Sequence, residues 1–160
     1  MNFYQTLGYL VFGSRLKRLS EAFLNDVNQI YKTHKIPFEA SWFPVFYLLS
    51  EKNEITIREI SNELNISHSA ASQLISSLQK KGLLKSVQSK KDARKKAVSF
   101  TAKGEKLLQR IEPVWTALQE AMETLAAEAP NSKKILKALT EIEKNIQKIT
   151  LFERVRTIMK

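Results

Sequence analysis

The stretch that decides the fold is residues 56–82, which read TIREISNELNISHSAASQLISSLQKKG. Thr56-Ile57-Arg58-Glu59 has capping-box spacing, with Thr at the N-cap and Glu three residues later. A short helix follows, with Ile57, Ile60 and Leu64 on one face. Asn65-Ile66 breaks it, and Ser67 is the N-cap of a second helix whose inward stripe is Ala71, Leu74, Ile75 and Leu78. Gly82 ends that helix as a C′ glycine. Two short helices joined by so brief a turn form a helix-turn-helix. The chain then turns to β-like runs, Leu83-Leu84-Lys85-Ser86-Val87 and Ala97-Val98-Ser99-Phe100, joined by Gln88 to Lys96. An antiparallel hairpin in that place is a wing.

Outward from this centre the pattern is helical. Apolar residues recur from Leu7 to Tyr31 at Leu16, Leu19, Phe23, Val27 and Ile30, which predicts a long amphipathic helix stopped by Lys35-Ile36-Pro37. Ser41 to Ser50 is short and aromatic, and reads as a buried helix with Pro44 near its start. After the hairpin, Thr101 caps a helix with Leu107, Leu108, Ile111, Val114, Trp115, Leu118, Met122 and Leu125 on its apolar face. Pro113 inside it removes a backbone donor and is expected to kink it. The last helix carries Ile135, Leu139, Ile142, Ile146 and Ile149, a coiled-coil-like seam from which Phe152 departs. The expected fold is therefore mainly α with a small β-hairpin wing. A winged helix-turn-helix over about 37–101 is flanked by helices at about 1–36 and 102–160.

Composition agrees. Four Gly and four Pro in 160 residues leave few chain breaks, and 43% hydrophobic residues suffice for a core. The absence of cysteine excludes disulfides, thiolate metal sites, a catalytic Cys and cysteine redox sensing. The densest apolar run, residues 42–49, is too short to span a bilayer. Near the N-terminus Arg15, Lys17 and Arg18 follow the apolar residues 9–12 rather than precede them, unlike a secretory signal, so the expected location is the cytoplasm.

Twenty-six Lys and Arg against 16 Asp and Glu give +10. Between Lys80 and Lys96 stand eight basic residues and one acid, Asp92, so +7 of that charge lies in one stretch. A single-sign patch in a folded chain implies a polyanion for a partner. Few aromatics lie within it, so stacking on single strands is not the indicated mode.

At this point the chain resembles the MarR family of bacterial winged-helix regulators. The resemblance rests on Ile66-Ser67-His68-Ser69-Ala70-Ala71-Ser72-Gln73-Leu74-Ile75, on the exit Leu78-Gln79-Lys80-Lys81-Gly82-Leu83, on Asp92-Ala93-Arg94, and on Phe100-Thr101-Ala102-Lys103-Gly104, where Phe stands for the usual Leu. It implies a homodimer whose first and last helices, at about 1–36 and 102–160, pair as dimerisation helices, and a regulator, a repressor in this reading, relieved by a small effector.

On the recognition helix the residues opposite the apolar stripe are Ser67, His68, Ser69, Ser72, Gln73 and Ser76, short enough for close entry into a major groove. Gln73 suits an adenine edge, although the family often has Arg at its place. Arg94 is the candidate for a minor groove, with Asp92 two residues away to hold it; the same pair would also tie the hairpin together. Lys80, Lys85, Lys90, Lys91, Lys95 and Lys96 are candidate phosphate contacts. Thr56 would either touch a phosphate or only cap its helix. The expected partner is double-stranded DNA with a pseudo-palindromic operator. For an aromatic or phenolic effector, which the resemblance makes plausible, the candidates are Phe12, Trp42, Phe46 and Trp115 with Arg15 as counter-charge, and plain core is the preferred reading of each aromatic taken singly. No metal site, cofactor motif or nucleophile constellation is present, so an enzyme is not expected. The rival reading is a basic helical interaction protein, or a nucleoid-type binder of DNA or RNA without sequence preference or effector.

Overall fold

A computed structural model describes residues 3–89 and 96–160. The chain divides into two compact units, Met1–Glu112 and Pro113–Lys160. The first unit begins with a short helix, α1 (Phe3–Thr6), and a 3-10 turn, Gly8–Val11. Gly8 takes φ +54°, a left-handed conformation that stops a continuous helix there. The long helix, α2 (Phe12–Thr33), therefore starts later than the spacing from Leu7 suggests.

Next come α3 (Phe43–Lys52), α4 (Ile57–Glu63) and α5 (His68–Lys80). The strands β1 (Leu84–Gln88) and β2 (Lys96–Phe100) pair antiparallel from Leu84↔Phe100 to Gln88↔Lys96. Ile55 extends the sheet by a bridge to Val98, with N–H···O distances of 3.1 and 2.9 Å. The helix α6 (Ala102–Ala127) then begins.

An aromatic core holds the first unit together. The Phe38 ring packs edge-on against Tyr31, Trp42 and Phe46 with centroids 4.9–5.5 Å apart, and Phe46 meets Phe100 at 4.9 Å. Residues from α4, α5 and the hairpin complete it: Ile60, Ala71, Ile75, Leu78 and Val98 are all buried. Asn28 Oδ1 accepts the Ala40 N–H at 2.8 Å and fastens α2 to the turn before α3.

The tightest joint lies where α5 ends and α6 begins. Gly82 leaves α5 with φ +71°, the left-handed exit that Gly permits at little cost. The Thr101 hydroxyl donates to the Gly82 carbonyl at 2.6 Å, and the Thr101 N–H donates to the Leu83 carbonyl at 3.0 Å. The Gly104 N–H in turn donates to the Thr101 hydroxyl at 3.1 Å. Gly104 is needed because a Cβ there would run into the Leu83 carbonyl oxygen and come within 3.0 Å of Phe100 Cδ1.

In the second unit α6 continues from Pro113, and α7 (Ile135–Lys148) and α8 (Leu151–Ile158) follow. The seam that runs on to Ile149 in the sequence is cut here. Ile149 is extended, with φ −142° and ψ 116°, and Thr150 opens a capping box with Glu153. Phe152 leaves the register because it belongs to a new helix. The Thr150 N–H and hydroxyl both donate to the Glu153 carboxylate at 2.9 Å, which holds its pKa below the ordinary 4.5.

Replacing Gly104 by Ala is expected to destabilise the protein by about 2 kcal/mol, a fall in Tm of roughly 4–8 °C for a chain this long. Thermal denaturation followed by circular dichroism measures it, and an unchanged Tm would mean that the joint is loose.

Candidate nucleic-acid interface

The helix α5 is set by both of its ends. Ser67 Oγ accepts the Ala70 N–H at 3.1 Å, the cap expected from the sequence. The turn before it is closed by Asn65 at φ 50° and by Ser61, whose hydroxyl donates to the Ile66 carbonyl at 2.7 Å. Asn is among the few residues that take this left-handed conformation readily. With Ala71, Ile75 and Leu78 buried, the outer face shows Ser69, Gln73, Ser76 and Lys80, with Ser72 half-buried and His68 at the first turn. Ser67 itself is exposed at the N-cap.

The hairpin lies directly after this helix. Gln79 Nε2 donates to Ser86 Oγ at 3.0 Å and ties α5 to β1. Lys85 on β1 and Lys96 on β2 are exposed. At the base of the wing Ser89 is buried, and its hydroxyl donates to the Glu54 carboxylate at 3.5 Å. Lys90, Lys91, Asp92, Arg94 and Lys95 lie outside the described residues. The ion pairs among the described residues are Lys17–Glu21 and Lys52–Glu63, so Lys80, Lys85 and Lys96 carry no acidic partner there. A polar helix face flanked by uncompensated ammonium groups is chemically suited to a phosphate-bearing duplex.

Thr56 is occupied locally. Its N–H and hydroxyl both donate to the Glu59 carboxylate at 2.8 Å, and its hydroxyl oxygen accepts the Glu59 N–H at 3.2 Å. The capping reading accounts for all of its polar atoms except the carbonyl, which accepts the Ile60 N–H at 3.0 Å.

The effector candidates of the first unit differ in depth. Phe46 is fully buried in the aromatic core, Phe12 is half-buried and Arg15 is exposed on the first turns of α2. Trp115 falls in the second unit. Trp42 lines a cleft of about 840 Å3 that the sequence pattern does not reveal. Its walls carry Lys32, Lys80, Lys81, Lys103, Lys106 and Arg110. A signal exists in the spacing of the last three, which share one side of α6, but not in any contiguous run. Among the described residues no group of His, Asp and Glu could hold a metal ion, and no helix is long and apolar enough to cross a membrane.

Helix-turn-helix, antiparallel hairpin and flanking helices make this a winged helix-turn-helix protein. Residues 36–95, the helix-turn-helix and most of the hairpin region, match the model of the MarR family. Solved structures of similar fold include the transcriptional regulator BldR from Sulfolobus solfataricus, 20% identical, with 91% of this chain and 100% of that chain covered at a TM-score of 0.61. The S. aureus MepR–DNA complex is 16% identical over 87% of this chain and 99% of that one, at a TM-score of 0.70. A mutant MarR from E. coli complexed with operator DNA is 17% identical over 88% and 97%, at 0.64. No curated protein matches the chain.

Thr56→Ala is expected to lower stability by about 1 kcal/mol through loss of the cap. The affinity of the folded protein for duplex DNA should not change. A gel-shift titration at a temperature where both proteins are folded separates the two roles, and weakened binding would make Thr56 a phosphate contact.

Proposed function

We propose that this chain is a homodimeric, sequence-specific double-stranded DNA-binding transcriptional regulator, a repressor released by a small-molecule effector. The observation that carries the proposal is the outer face of α5, where Ser69, Gln73 and Ser76 stand clear of the core and Ser72 is half-buried. Beside them are Lys80, Lys85 and Lys96, which make no ion pair among the described residues. Residues 36–95 match the model of the MarR family, and structures of similar fold include proteins bound to DNA. In this reading α5 enters the major groove and Gln73 meets a base edge. Arg94 enters the minor groove, held by Asp92, and the lysines meet phosphates.

Exposed apolar side chains favour a second copy as the dimer partner. Phe3, Tyr9 and Leu10 lie near the N-terminus, and Leu151, Phe152 and Ile158 near the C-terminus, all open to solvent. Two recognition helices would then read half-sites about one turn, roughly 10 base pairs, apart.

Competition binding against a promoter fragment and random DNA tests the proposal. Equal affinity for both at every salt concentration sinks it and leaves a binder without sequence preference. Arg94→Ala should weaken operator binding by about 1–3 kcal/mol with little change in Tm; a collapse in stability with unchanged binding by the folded fraction would reassign the residue to the hairpin.

If about eight phosphates are neutralised, the slope of log K against log salt should be near −7. A slope near zero would remove the phosphate role of the lysines.

A further inference from the structure

The lysines of the wing and recognition helix are accounted for by a duplex, but four other cations are not. Lys103, Lys106 and Arg110 lie three and four residues apart on α6, where like charges repel one another. Lys103 also sits in the first turn of that helix, at the end where the backbone dipole disfavours a cation. Lys32 approaches from α2. Lys80 and Lys81 close the cleft from the end of α5, where a cation is favoured by that helix's own dipole. One acid, Glu39, faces these six, and none of the seven makes an ion pair among the described residues.

Two of the cations are held in position. Arg110 Nη2 donates to the Lys35 carbonyl, and Lys103 Nζ to the Lys81 carbonyl, each at 2.8 Å. Lys81 Nζ lies 5.1 Å from the centroid of the Trp42 ring. The floor is formed by Ile36, Phe38, Trp42, Leu83 and Leu107, each no more than 8% exposed, so the cleft has an apolar base and its charge stands on the walls. The volume, about 840 Å3, suits a molecule of nucleotide size. An aromatic monoanion would leave most of the charge uncompensated.

We infer that this cleft binds a small multivalent phosphate anion, with a di- or triphosphate chain lying between Lys32 on one wall and Lys103, Lys106 and Arg110 on the other. The site adjoins the exit of the recognition helix. A bound polyphosphate attracts the ammonium groups of Lys80 and Lys81, and of Lys103, whose hydrogen bond helps to fix the Lys81 carbonyl. Anion and DNA phosphate then compete for Lys80. This regulatory consequence rests on the regulator reading, whereas the binding itself does not.

The test uses the full chain without DNA, with calorimetry at low salt and tryptophan fluorescence as readouts. Tripolyphosphate should bind at least tenfold tighter than inorganic phosphate or benzoate. The double variant Lys32→Gln/Lys106→Gln, which removes two exposed side chains without hydrogen bonds in the structure, should lose at least tenfold affinity for tripolyphosphate at unchanged Tm. The wing variant Lys85→Gln/Lys96→Gln should keep it. An ATP affinity tenfold above that of tripolyphosphate would identify a nucleotide as the source, and equal affinities would identify the phosphate chain alone. Benzoate binding as tightly as tripolyphosphate overturns the inference. So does an unaffected cleft variant, or an equal loss in the wing variant. A preference for tripolyphosphate in a protein that binds promoter and random DNA alike would leave the site standing and remove the regulator reading.

Discussion

Much of the first unit depends on the close approach of α6 to the Leu83 carbonyl. Packing Gly104 against that oxygen brings the Thr101 hydroxyl within reach of the Gly82 carbonyl and the Thr101 N–H within reach of Leu83. These contacts join three elements at once: the end of the recognition helix, the start of β1, and the helix that follows β2. A side chain at residue 104 would push α6 away and leave the carbonyls at the α5 exit without their partners. The Phe-Thr-x-x-Gly spacing at residues 100–104 is thus a packing requirement.

Local chemistry explains what is legible in the sequence. The caps at Thr56 and Ser67, the exit at Gly82 and the start at Thr101 each arise from bonds between residues a few positions apart, and short-range spacing reveals them. The hairpin is legible within one residue at each strand end for the same reason. The break at Ile149 is nearly hidden because the apolar spacing is regular up to that residue, and only the departure of Phe152 from the register marks it. The stop lies instead in Thr150 and Glu153, a second capping box inside an otherwise regular pattern. Gly8 hides the start of α2 similarly, since a glycine in a helical pattern does not reveal its own φ.

The site is legible only in part. The outer face of α5 follows from which residues are apolar, so helical periodicity alone assigns Ser69, Gln73 and Ser76 to it. The cleft has no such signature. Its walls come from α2, the end of α5 and the first half of α6, residues up to 82 positions apart in the chain. Charge counting also conceals it, because outside residues 80–96 the cations are nearly balanced in sequence by acids, most of which do not line the cleft. Tertiary folding sorts those charges: cations converge on one hollow of the first unit, where Glu39 is the sole acid in the lining.

Both strands of the hairpin are pinned to one short segment of the chain. Ile55 bridges to Val98 beneath β2, and Ser89 is buried against Glu54 where β1 ends. The segment before α4 thus reaches both strands, β2 through a backbone bridge and the end of β1 through a side-chain hydrogen bond. With Gln79 also bonded to Ser86, a hairpin braced in this way moves with the helix-turn-helix as one body rather than swinging on the α5 exit alone.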